Sequence, residues 1–244
     1  GGFTPSNLKA CGFPASELKA GDYTAKELKA VGYSIAELRG GGYSAKELKH
    51  ANFSAEELLR AVNFSVAELR TAGFTAMQLK AAGCTVEALR AGGFKVKQLK
   101  AVGFTPEQFR QFNIKAGELR DAGFTAQELA SVGYTPTDLR EGGYVARQLK
   151  DVGFSAYDLR NAGCKALELE DVGFSAKELK EGGYTPDEMM SAAFTVEELR
   201  SAGCTVEELK AVGMTAKELK DGGFSLLELR KAGFTAWKLK EIGA

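Results

Sequence analysis

An aromatic residue returns every ten residues along almost the whole chain: Phe3, Phe13, Tyr23, Tyr33, Tyr43 and Phe53, then Phe64, Phe74 and on to Phe234. Self-similarity at so short a period means one small unit stacked on itself, not a globular core closed around distant segments. Numbering each repeat from this position divides the 244 residues into 24 repeats, with 1–6 starting at residues 3 to 53 and 7–24 at residues 64 to 234. The single slip is an eleven-residue repeat over 53–63, F-S-A-E-E-L-L-R-A-V-N. The consensus is [FY]-[ST]-A-x-E-L-[KR]-x-[AVG]-G.

Each position has a physical role. Position 2 is Ser or Thr in 19 of the 24 repeats and position 5 is Glu or Gln in 19. That spacing is a capping box, in which hydroxyl and carboxylate satisfy the first free N–H groups of a helix. Position 3 is then the first helical residue, and four of the five prolines occupy it: Pro5, Pro106, Pro136 and Pro186, where a missing N–H costs nothing. Positions 1 and 6 stand at hydrophobic-staple spacing; position 6 is Leu except at Phe109 and Met189. Position 10 is Gly in 19 repeats and Asp22, Asn52, Asn63 or Asn113 in four more, a set that selects a left-handed backbone at a helix end. Ala193 alone does not fit.

The spacing therefore predicts an all-α solenoid of about 24 short helices, each stopped at position 10 and restarted two residues later. Positions 1, 3, 6 and 9 are expected inside, and 4, 7 and 8 outside. The extra residue of repeat 6 predicts a bulge or bend near Leu58 to Asn63, since one residue advances a helix by about 100°. No helix of this length stands alone: burying an aromatic and a leucine yields roughly 3–6 kcal/mol, against about 10–20 kcal/mol to order ten residues. The single continuous array over 1–244 is the expected folding unit, with uncapped ends and the character of a segment of a longer array. A fainter 40-residue recurrence (Cys164 and Cys204; Gly142, Gly182 and Gly222) fits duplication of a four-repeat block, or four repeats per turn.

The repeat resembles tandem-repeat α-solenoids in general and, more specifically, decapeptide arrays built of G-F-T-A-x-E-L-K units. The resemblance covers all 24 repeats. It implies architecture and carries no activity.

Nothing in the chain points to catalysis. The lone His50 sits at variable position 8, and the many Ser and Thr are caps with no base beside them. Cys11, Cys84, Cys164 and Cys204 form no metal-ligand spacing. The last three stand at position 1 as small apolar fillers, the alternative being cross-links between adjacent turns. Paired carboxylates such as Glu56–Glu57, Glu197–Glu198 and Glu207–Glu208 are helix-start charges. The expectation is no enzyme, no cofactor and no metal. Lys and Arg equal Asp and Glu at 32 each, and the variable positions have no basic bias; nucleic acid is not an expected partner. No apolar run is long enough to insert into a membrane.

Two features stand out. Apolar residues appear late in the chain at outward position 4, namely Tyr157, Leu167, Leu227 and Trp237, with Met190 and Leu226 near them in sequence; together they are a candidate contact surface. The open ends, with Phe3 and Leu8 at one and Phe234 and Leu239 at the other, are candidate stacking surfaces. From Gly1 to Ala122 the chain has 17 basic and 12 acidic side chains, and from Gly123 onward 15 and 20, so the halves are +5 and −5. Opposite charges favour head-to-tail stacking into a rod or filament. The expected partner is another copy of the chain or, alternatively, a protein bound to a scaffold face of positions 4, 7 and 8.

Overall fold

A computed structural model describes residues 4–61 and 64–243. Among them are 24 α-helices and no strand, from Pro5–Ala10 through Ala236–Glu241, one to each repeat. Nearly all are six residues long, because start and stop signals recur in phase. In repeat 3, Thr24 Oγ1 accepts from the Glu27 N–H (3.3 Å) while the Glu27 carboxylate accepts from the Thr24 N–H (2.8 Å). In three of the five repeats where position 2 is not a hydroxyl residue, half of that pair survives: Gln98, Gln148 and Glu168 still accept from the N–H of Lys95, Val145 and Lys165. Pro14 has no N–H to give, and its helix starts without a side-chain cap.

Position 10 holds the left-handed conformation, as at Gly133 (φ 90°), and so do Asp22, Asn52, Asn113 and the misfit Ala193 (φ 61°). The turn is thus imposed on alanine by its surroundings. In repeat 6 the extra residue continues the helix to Ala61, giving Ala55–Ala61 seven residues; Val62 and Asn63, the rest of the expected bulge, lie outside the described residues.

The chain divides into two compact units, Gly1–Ile114 and Lys115–Ala244. The same packing rule holds within each. The main partner of a helix is not the next one but the one after it: Ala15–Ala20 packs on Ile35–Gly40, and Ala156–Asn161 on Ala176–Glu181. Leucine at position 6 forms the floor of the stack and is fully buried from Leu28 to Leu229. Position 3 is covered by position 9 two repeats later. A Cβ on Gly41 would stand 2.7 Å from that of Ala15, and one on Gly142 or Gly182 would stand 2.8 Å from that of Ala116 or Ala156. This contact spans 26 residues (Gly182 to Ala156), so the 40-residue recurrence of these glycines is not the packing period.

Position 7 departs from the expectation that it faces outward. Most of its Lys and Arg side chains are half-buried, because each reaches across the stack. Lys29 donates to the carbonyl of Asn52 at 2.8 Å, two repeats on, and lies 3.8 Å from the centre of the Phe53 ring that opens the third. Lys80 does the same with the Val102 and Gly103 carbonyls and Phe104, and Lys210 with Ala232 and Phe234. The reason is length: a long cationic side chain can satisfy the free carbonyls of a helix end, where the helix dipole is negative, and cover an aromatic face. The same cations pair with position 5 of the third repeat, as in Lys19–Glu47 (3.1 Å), Arg140–Glu168 (2.6 Å) and Lys180–Glu208 (2.6 Å).

Candidate interaction surfaces

These offsets determine what the two ends of the array leave open. Within the described residues no repeat stands two places ahead of repeats 23 and 24, and their position 3 is uncovered there. Leu226 is 42% exposed and Ala236 is exposed, whereas Ala156 at the same position is 4% exposed. Their position 7 cations, Arg230 and Lys240, are exposed and form no ion pair among the described residues. Likewise, within the described residues no repeat stands two places behind repeats 1 and 2. Cys11 and Gly21 at position 9 are exposed, and a Cβ on Gly21 would meet nothing closer than 3.5 Å. Phe13, without a cation three repeats back, is 40% exposed. Glu17 lacks a cap partner because of Pro14, and it too forms no ion pair among the described residues.

Of the four residues the sequence nominates for end stacking, Leu8 and Leu239 are half-buried, in contrast to the sealed leucines between them. Phe234 is 8% exposed and already lies under Lys210, whose Nζ is 4.7 Å from the ring centre. Phe3 lies outside the described residues. Among the described residues, positions 3 and 7 are thus open in repeats 23 and 24, and positions 9, 1 and 5 in repeat 2. The consensus could not assign these, because it does not say which repeats touch.

The position 4 residues Tyr157, Leu167, Leu227 and Trp237 are all exposed, Trp237 most at 66%. Met77 and Val145 belong with them as exposed apolar side chains, while Met190 is half-buried. Tyr157 borders a cleft of about 380 Å³ between the start of its helix and Glu178 and Glu181 two repeats on. Equivalent clefts lie beside Ser16, Glu56 and Glu207. The cleft is thus a product of the repeat, and Tyr157 changes only its rim.

Four tyrosines at position 1 have a role that the consensus treats as interchangeable with phenylalanine. Each donates its hydroxyl to a position 1 carbonyl two repeats back: Tyr33 to Phe13 (2.7 Å), Tyr43 to Tyr23, Tyr144 to Phe124 (2.6 Å) and Tyr184 to Cys164 (2.7 Å). Burial pushes the Tyr144 phenol up to about 12 and raises that of Tyr184 further. Three of the four follow a Gly-Gly pair, at Tyr43, Tyr144 and Tyr184, so close backbone approach and the extra hydrogen bond occur together.

The remaining reactive groups are dispersed. His50 is exposed at the end of its helix. All four cysteines are free, Cys164 and Cys204 are buried, and burial raises the thiol pKa of both. Among the described residues no cluster of His, Cys, Asp and Glu could hold a metal ion, and no helix is long and apolar enough to cross a membrane.

A comparison with protein families matches residues 1–62, 63–136, 113–186 and 173–244 to a family described as a decapeptide repeat region. A comparison with curated proteins finds no match.

Proposed function

The chain belongs to the decapeptide repeat region family, and from that premise we propose that it is a structural protein that forms a rod or filament, copies stacking end to end. The observation that carries this reading is that positions 3, 6, 7 and 9 serve helix-on-helix contacts in both units, so that each repeat is completed by other repeats of the same kind. On this reading the chain works by packing and not by chemistry, and it uses no cofactor. Charge supports the polarity: residues 1–114 contain 15 basic and 10 acidic side chains, and 115–244 contain 17 and 22, giving +5 and −5. Attraction between unlike ends is long-ranged only at low ionic strength.

Light scattering and electron microscopy of the 244-residue chain test the reading. Elongated particles that lengthen with concentration and shorten with added salt are expected. A chain that stays monomeric when concentrated, in both low and moderate salt, would defeat it.

A second reading is a scaffold that binds a protein partner through its outward face. It is favoured by the exposure of Tyr157, Leu167, Leu227 and Trp237. Position 7 drops out of that face because its side chains are committed to the stack, leaving positions 4 and 8. Replacing the four residues by alanine leaves end-to-end assembly unchanged if the first reading holds.

A further inference from the structure

Position 7 is a cation in every repeat but four, where it is Leu59, Ala130, Glu170 or Met190. The position 1 residue three repeats on is then Cys84, Phe154, Phe194 or Met214. These four are half-buried, whereas every other position 1 residue from Tyr33 to Phe234 is buried. Position 1 thus loses its cover where the cation is missing.

The occupied repeats show what a cation meets there. Arg160 donates to the Gly183 carbonyl, lies 5.4 Å from the centre of the Tyr184 ring and pairs with Glu188 at 3.6 Å. Lys19 does the same with Gly42 (2.5 Å), Tyr43 (4.7 Å) and Glu47 (3.1 Å). A helix-end carbonyl, an aromatic face and a carboxylate together receive one ammonium or guanidinium group. At two of the four vacancies all three parts are present. Ala130 leaves open Phe154, Asp158 and the carbonyls of Val152 and Gly153; Glu170 leaves open Phe194, Glu198 and the carbonyls of Ala192 and Ala193. Among the described residues neither carboxylate has an ion-pair partner. Asp158 accepts from Ser155 and Glu198 from Thr195, and no side chain donates to those four carbonyls. The other two vacancies are incomplete: Cys84 and Met214 are not aromatic, and Ala88 stands where the first would need a carboxylate.

We infer that the vacancies at Phe154 and Phe194 are binding sites for arginine or lysine side chains from a basic segment of another protein. Charge favours that occupant. Both sites lie in the unit with 17 basic and 22 acidic side chains, and Glu170 puts a carboxylate in the register of the absent cation. Neither site depends on end-to-end stacking or on the position 4 face.

The test titrates a labelled peptide of alternating glycine and arginine with the 244-residue chain, against a neutral peptide with citrulline in place of arginine. Binding of the arginine peptide alone is expected. In the Ala130→Lys/Glu170→Lys double variant the chain's own lysines fill both sites. Binding should then fall about tenfold, while the melting temperature holds or rises. Gln127→Lys/Asp171→Lys adds the same charge at outward positions 4 and 8 and should weaken binding less than about twofold. Equal loss in the two double variants would reduce the effect to net charge and overturn the sites. Equal binding of the citrulline peptide, no binding by the wild-type chain, or a filled variant that melts below wild type would do the same. Self-association that the filling lysines abolish, with no peptide bound, would place a second copy in the sites and overturn the choice of partner.

Discussion

Repeats 16 to 18 and repeats 22 to 24 follow the same consensus but do not have the same environment. In the first set Ala156 lies sealed beneath Gly182, and Leu159 and Leu179 are fully buried. In the second, Leu226 and Ala236 are open and Leu239 is half-buried. Local sequence does not account for this, since each set has two repeats with a complete capping box and one without, and all six turns end on glycine. The difference is the neighbour two places ahead. A decapeptide therefore has no core of its own, and its stability belongs to the contacts between repeats.

The largest expected difference between the two regions comes from leucine. Leu179→Ala should cost about 2–5 kcal/mol through lost burial and a cavity. Leu239→Ala should cost under about 1 kcal/mol, because that site is already half open to solvent. Chemical denaturation of both variants decides the matter, and equal costs would mean that each repeat is stabilised from within. Next is crowding. Gly182→Val forces a side chain into the Ala156 backbone and should cost about 1–3 kcal/mol, whereas a Cβ at Gly21 meets only ordinary van der Waals contacts at 3.5 Å or more, so Gly21→Val should be close to neutral in thermal melts.

A smaller effect separates inward from outward tyrosines. Tyr144→Phe removes the bond to the Phe124 carbonyl and should cost about 1 kcal/mol, while exposed Tyr157→Phe should be silent. The raised Tyr144 pKa adds a pH signature. A group whose folded pKa lies above its unfolded value gives stability that is complete below about pH 10 and lost as pH rises through about 12. Denaturation midpoints on the alkaline side should therefore fall less steeply in the variant.

The smallest effect per residue lies on the acid side. Hydrogen bonds from Ser175 hold the Glu178 carboxyl below its ordinary value, and those from Thr195 and Thr215 do the same for Glu198 and Glu218. A lowered folded pKa gives stability that is present above the unfolded value of about 4.5 and lost as pH falls through the folded one. Glu178→Gln should make the acid limb of a stability–pH curve shallower. An unchanged limb would mean that the cap carboxylates contribute nothing.

Everything inside one repeat is legible from the sequence, because caps, first-turn prolines and left-handed residues act within ten residues. The helices, their ends and the turn at Gly133 follow from that. What lies between repeats is not legible, for a physical reason: a perfect repeat looks the same whether its neighbour is one, two or four places away. Lysine at position 7 reads as a surface residue because its partners sit two and three repeats ahead. Only departures from the consensus contain the offset, such as Gly142 against Ala116 and Gly117. The consensus nominates Phe234 as a stacking surface for the same reason, since it does not show Lys210, three repeats back, lying over that ring.

The constant reach of position 7 has an evolutionary consequence. Since each contact is set by counting repeats, removing or copying ten residues hands each position 7 cation an equivalent carbonyl and, in most repeats, an equivalent aromatic, and few side chains need to change. Replication slippage in whole repeats is therefore close to neutral for such a gene. A one-residue slip, as in repeat 6, breaks that equivalence, and the helix there runs one residue longer than most. Length becomes the trait that selection can tune most freely, with sequence following behind.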